Sequence, residues 1–162
     1  MQEGYAVDDT QNDTMINYYL NGSIKSRYIY KNAQMTGSYN EWYENGAKRV
    51  ETFYKANVPD SSYVFYYEDG QRSYQKFYRN GKENGTTTYW GSNGKIFWQC
   101  DFQDGLENGK NTSWHVNGVM QAEGKYEMGK QQGEWKFWDE SGKLIRTEYY
   151  KNGNLIKSMD VK

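Results

Sequence analysis

Two residues of this chain have side chains suited to chemistry on their own, and neither has company. His115 is the only histidine and Cys100 the only cysteine among 162 residues. A nucleophile needs a base and a group to orient that base. A structural zinc site takes about four ligands, usually Cys or His, and a disulfide takes cysteines in pairs. His115 stands two positions before Asn117-Gly118 with no repeated acid or nucleophile beside it. The acidic residues are many but scattered, and none forms a separated carboxylate pair in a plausible cleft. His115 therefore reads as an exposed strand residue and Cys100 as an ordinary one. The expectation is a chain that is not an enzyme and holds no metal or cofactor. What remains chemically distinctive is its rings, 17 Tyr, 6 Trp and 6 Phe. Rings presented on a surface recognise other surfaces.

Composition narrows the classes further. The hydrophobic fraction is 36%, against about 45–50% in ordinary globular chains. Leu, Ile, Val and Phe together number 23, few enough to suggest disorder. A net charge of −1 and an aromatic content of 18% argue the other way. Any core must then be built of rings rather than aliphatics. No apolar run approaches the ~18 residues of a membrane-spanning helix. With 20 basic and 21 acidic residues interspersed, no basic face is available for nucleic acid. Nor is there the basic, apolar face that membrane-surface binding requires.

The rings recur at a fixed interval. Gly22, Gly46, Gly70, Gly94, Gly118 and Gly142 are 24 residues apart, each preceded by Asn, Asp or Ser. Four positions before them lie Tyr18, Trp42, Tyr66, Trp90, Trp114 and Trp138. Eight positions after them lie Tyr30, Tyr54, Tyr78, Phe102, Tyr126 and Tyr150. Six uninterrupted copies run from about Asp13 to Ile156, the signature of a repeat architecture. Within a copy, Tyr, Trp, Phe and Val favour pleated strands and Asn-Gly supplies the positive φ of a tight turn. The prediction is an all-β fold: an elongated, twisted antiparallel meander of six hairpins and about twelve strands.

The turn decides which side chains share a face. A three-residue loop ending in a left-handed Gly pairs Trp42 with Lys48, and its column (Ile24, Lys48, Arg72, Ile96, Met120, Leu144) is apolar or long-stemmed. The even positions 42, 48, 50 and 54 and their counterparts then form one repeated face, a packed spine in which Trp90 and Trp114 are among the most buried rings. The odd face varies from unit to unit. In units two to four it carries Tyr39, Tyr43, Phe53, Tyr63, Phe65, Tyr67, Phe77 and Tyr89, which together form the predicted binding surface. Unit five has Asn111, Ser113, His115 and Lys125 there, and unit six has Trp135, Phe137 and Tyr149. A solenoid uses its repeated positions for stacking and its variable ones for capping or binding.

The ends differ from the repeats. Residues 1–12 are polar and acidic and predict a poorly ordered tail; 13–158 form the repeat domain and 159–162 a short C-terminal tail. The first residues do not read as a signal peptide, and the expectation is a bacterial protein that is either cytoplasmic or exported with its leader removed. Pro59, the only proline, falls in a junction that lacks the usual Gly and is expected to differ in shape. The first strand, MINYYL, is an apolar sheet edge that invites a homodimer contact or a covering tail. Lys151, Lys157 and Lys162 are expected to protect the last strand.

The stretch Gly133–Gly153, GEWKFWDESGKLIRTEYYKNG, closely resembles the MORN repeat variant, and Tyr39–Gly46 carries the same signature. Six units in phase resemble the YwqK-type antitoxin family of bacteria. That resemblance implies a twisted meander that binds another protein, which for the YwqK type is a secreted or polymorphic toxin. Units one, four and five depart from the pattern at Ala33, Gly91 and His115. The alternative reading is a module for cell-wall glycan or choline. Asn117–Gln121 is similar to the hairpin of choline-binding repeats, and aromatic cages suit quaternary ammonium groups. Those repeats are shorter than 24 residues and richer in paired rings.

Overall fold

A computed structural model describes residues 13–161; the tail expected over 1–12 lies outside them. Fifteen strands form one antiparallel sheet, and no helix occurs among the described residues. The hairpins are β1 (Asp13–Tyr18) with β2 (Ile24–Lys31), β3 (Gln34–Trp42) with β4 (Lys48–Lys55), and β6 (Ser62–Tyr66) with β7 (Arg72–Arg79). They continue with β9 (Gly85–Trp90) and β10 (Ile96–Gln103), β11 (Leu106–Trp114) and β12 (Met120–Glu127), then β13 (Lys130–Trp138) and β14 (Leu144–Lys151). A last strand, β15 (Asn154–Asp160), pairs with β14 and carries the sheet past the expected end at 158. Two short pieces, β5 (Val58–Pro59) and β8 (Lys82–Glu83), lie off the main path on either side of unit three. The left-handed pair Ala56-Asn57 is shared with the other junctions, as at Asn32-Ala33; what sets the Pro59 junction apart from most of them is the strand break at Asp60–Ser61, with Ser61 at φ 154°, and the junction after β8 is interrupted as well.

The turns follow the sequence. Tyr43 N–H donates to the Ala47 carbonyl at 2.8 Å and Gly46 N–H to the Tyr43 carbonyl at 2.9 Å. Gly46 has φ 85°, and the Asn45 side chain accepts from Ala47 N–H at 2.9 Å. Trp42 pairs with Lys48, and the same pairing recurs at Tyr18–Ile24, Tyr66–Arg72, Trp90–Ile96, Trp114–Met120 and Trp138–Leu144.

Immediately beyond that pair each hairpin departs from the expectation. Glu41 pairs with Val50, so Arg49 is an extra residue opposite no partner. Lys25, Ser73, Phe97, Gln121 and Ile145 are bulged in the same way. A bulge shifts alternation by one, which moves every later side chain to the other face. The expected even face is therefore split. Trp42 and Lys48 lie on one side, called here the tryptophan face. Val50, Thr52 and Tyr54 join Tyr39 and Glu41 on the other, the ring face.

Burial follows from a single layer. With no second sheet to pack on, only strand centres are covered, by their own neighbours. On the ring face these are Ser26, Val50, Thr52, Thr87, Cys100, Asn111, Ala122, Trp135 and Glu148; on the tryptophan face, Val64, Thr88, Thr112 and Thr147. Trp90 and Trp114 are only half-buried, contrary to expectation, because their column sits at the strand ends beside the turns. The large ring at a strand centre is Trp135, 4% exposed. Both edges show apolar side chains: Met15, Ile16 and Tyr18 on β1, and Leu155, Ile156 and Met159 on β15. Of the three lysines expected to protect the last strand, Lys157 lies on β15 and Lys151 on β14, and Lys162 lies outside the described residues.

Candidate binding face

Cross-strand pairing places ring opposite ring. Tyr28 pairs with Tyr39, Phe65 with Tyr74, and Tyr74 and Trp98 each with Tyr89. Such pairs are the unit of sheet stabilisation, and rings prefer offset or edge-on contact. Tyr28 stacks on Tyr39 at 5.8 Å, and Tyr54 meets Tyr39 edge-on at 5.9 Å. Tyr74 lies parallel to both Phe65 at 5.2 Å and Tyr63 at 5.9 Å. The contacts continue through Tyr89 to Trp98, 5.5 Å at each step. All of these rings are half-buried.

Of the eight rings singled out in the sequence, Tyr39, Tyr63, Phe65 and Tyr89 lie in two such groups, Tyr39 with Tyr28 and Tyr54 and the other three with Tyr74 and Trp98. Phe53 and Phe77 do not. They pair with Ser38 and Ser62 on the tryptophan face, because the bulge precedes them in their strands, and both are exposed. Tyr43 and Tyr67 occupy the turn edge. Sequence reasoning missed Tyr28, Tyr54, Tyr74 and Trp98, which the same bulge brings in. One signal could have found them. Short of the turn-side ring column (Trp42, Tyr66, Trp90), the even positions of the first strands in units two to four are polar apart from Val64 (Ser38, Asn40, Thr86, Thr88), whereas even positions of the second strands hold rings (Tyr54, Tyr74, Trp98). Only a one-residue slip between the strands unites the rings.

Charge enters the ring face at several places, among them Arg146, which lies over Phe137 at 4.5 Å and is paired with Glu148. The Arg49 guanidinium lies over Phe65 at 5.5 Å and Tyr43 at 5.8 Å and is ion-paired with Glu41. The Tyr39 hydroxyl donates to Glu41 at 3.2 Å. Burial first, and then Glu41, push the Tyr39 phenol up to about 12. Burial, followed by Tyr74, raises Tyr63 as well. Both phenols are neutral donors at physiological pH. Further along, Lys76 bonds Glu83 at 3.2 Å, and burial followed by Glu83 raises the Glu107 carboxyl. Cys100 is fully covered between Thr87 and Asn111, and burial pushes its thiol up to about 11. Among the described residues no group of three or more His, Cys, Asp or Glu is placed to hold a metal ion.

The turn edge has a ladder of its own. The Tyr19 hydroxyl donates to the Trp42 carbonyl at 2.8 Å, Tyr43 to Tyr66 at 2.7 Å and Tyr67 to Trp90 at 2.8 Å. His115 Nε2 meets the Trp138 carbonyl at 2.8 Å. Since a carbonyl only accepts, Nε2 carries the proton. His115, expected as an exposed strand residue, is a half-buried rung in the tyrosine column. Each rung ties one unit to the next.

The molecule is a stack of hairpin units, and parts of its sequence match a known family. The MORN repeat variant model matches residues 14–32, 35–56 and 131–152. These stretches are the β1–β2, β3–β4 and β13–β14 hairpins. No curated protein matches the chain. The MORN-type units mark the molecule as a repeat scaffold. What such a scaffold offers here is stacking surface, phenol donors and guanidinium groups set over rings.

Proposed function

We propose that the chain is a non-enzymatic scaffold that binds another protein through the ring face of units two to four. The observation that carries this reading is the run of half-buried rings from Tyr63 and Phe65 through Tyr74 and Tyr89 to Trp98. A contiguous outward patch of this kind marks an interaction site. Tyr and Trp also supply contact area at low entropic cost, with a hydroxyl that keeps the face wettable. Arg49, held over Phe65 by Glu41, adds the third residue type enriched at binding hot spots. Resemblance to YwqK-type antitoxins makes a bacterial toxin the partner we propose within this class.

The test uses the product of the adjacent gene as candidate partner. Tyr74→Ala is expected to weaken its binding at least tenfold, while Phe53→Ala and Phe77→Ala, on the tryptophan face, leave it unchanged. Circular dichroism checks that all three variants fold. Loss of binding in the two Phe variants with none in Tyr74→Ala would place the interface on the wrong face and overturn the reading.

A further inference from the structure

The tyrosine ladder has a missing rung. Its column reads Tyr19, Tyr43, Tyr67, Gly91, His115 and Asp139, of which the three tyrosines and His115 donate. Gly91 has no side chain with which to reach the Trp114 carbonyl, the acceptor equivalent to those of Trp42, Tyr66, Trp90 and Trp138. The backbone does not demand glycine here. Gly91 N–H donates to the Lys95 carbonyl at 2.9 Å and Gly94 N–H to the Gly91 carbonyl at 2.9 Å, the same two bonds that Tyr43 makes in its turn. Gly91 is not left-handed, and a Cβ built on it would meet first the end of the Asn93 side chain, at 3.0 Å. The turn is that of a tyrosine, without the tyrosine.

Where the ring would lie there is a cleft of about 390 Å³, lined among others by Gly91, Lys95, Ile96, Phe97 and His115. Ligand sites begin at roughly 300 Å³ and are mostly apolar with a few placed polar groups. Phe97 is 44% exposed and supplies an unoccupied ring wall. It also lines a second cleft, with Tyr89, Trp98 and Trp114, and its ring lies 6.0 Å from Tyr89. The notch therefore opens directly onto the ring face.

We infer that this notch binds the tyrosine side chain of a partner protein, whose hydroxyl donates to the Trp114 carbonyl and whose ring packs against Phe97 and His115. The occupant's chemistry is set by the neighbouring rungs, where Tyr67 and Tyr43 fill the same place from within the chain. Continuity with the ring face fixes the source as a partner seated on that face. This inference rests on the protein-binding reading and adds a position to it.

The test begins without any partner. Titrated into the full-length protein, p-cresol is expected to shift the amide resonances of Gly91, Lys95, Phe97 and His115 saturably. Toluene, which lacks the donor, binds at least fivefold more weakly. Gly91→Tyr fills the rung, abolishes the p-cresol shifts and raises the melting temperature. Should that variant fail to fold, Phe97→Ala serves in its place and weakens p-cresol binding at least fivefold. Equal binding of toluene and p-cresol, no shifts at these amides, or undiminished p-cresol binding in the variant would overturn the inference and leave the ring-face reading standing. The source is tested with the adjacent gene product: Gly91→Tyr weakens its binding at least tenfold. Unchanged binding there, alongside p-cresol binding to the wild type, would exclude the partner's tyrosine as the occupant.

Discussion

At the scale of single residues, the sheet concentrates its stability where a ring covers a backbone. The Trp135 indole lies flat against Gly124; a Cβ at that glycine would stand 2.1 Å from the ring. Neighbouring units have Cys100 and Glu148 in the place of Gly124, so the glycine and the tryptophan answer one another. Trp135→Ala is expected to cost about 3–5 kcal/mol, as for a large ring removed from a covered site. Gly124→Ala should be destabilising too, because the indole must leave its seat. Trp90→Ala, at a half-buried strand end, should cost clearly less than Trp135→Ala. Urea unfolding of the three variants checks the order, and a Trp90 loss equal to that of Trp135 would contradict it. This reverses the expectation that the periodic tryptophans form the core. A column that recurs in every unit marks a repeated place, and that place is the turn edge.

At the scale of the element, the hairpin is a turn, a pair and a bulge, and only the first two have a column of their own in the sequence. Asn45-Gly46 specified the loop, and the apolar column at 48 specified its register. The extra residue at Arg49 left no mark of its own, since Lys, Arg, Ser, Phe, Gln and Ile all occupy that column. A bulge asks only for a backbone that can bend there, not for a particular side chain. That one residue sent Phe53 and Phe77 to the far face and brought Tyr54 and Tyr74 to the near one. The inter-unit rungs were illegible for another reason: their acceptors are main-chain carbonyls, which no sequence column displays. They make a direct prediction. His115→Phe keeps a ring but has no donor, and should lower stability by about 0.5–1.5 kcal/mol, the net worth of one hydrogen bond. His115→Tyr restores the column's own donor and should keep wild-type stability. Thermal unfolding separates them, and equal melting temperatures for Phe and Tyr would show that the rung carries no energy.

At the scale of the whole molecule, a single-layer sheet stabilised by phenol rings inherits their titration. Burial raises the phenols of Tyr39, Tyr54, Tyr63, Tyr66, Tyr78, Tyr126 and Tyr150, with Glu41 adding to the effect at Tyr39 and Tyr74 at Tyr63. An unfolded phenol loses its proton near pH ~10. Each raised group holds its proton more tightly when folded, so its contribution is fully present below about pH 10 and is lost as pH rises through the folded value. For Tyr39 that value is about 12. Because each unit contacts mainly its neighbours, ionisation in units two and three should loosen the middle of the sheet rather than fray an end. The urea midpoint is expected to stay level up to about pH 9 and to fall between about pH 10 and 12. Tyr39→Phe removes one titrating hydroxyl at the centre of the ring face. Its fall over the same range should be shallower than that of the wild type, even where its stability at neutral pH is lower for want of the bond to Glu41. Parallel curves for the two proteins would mean that Tyr39 ionises with no more difficulty in the sheet than in the open chain, and the ring face would then be far wetter than its packing describes.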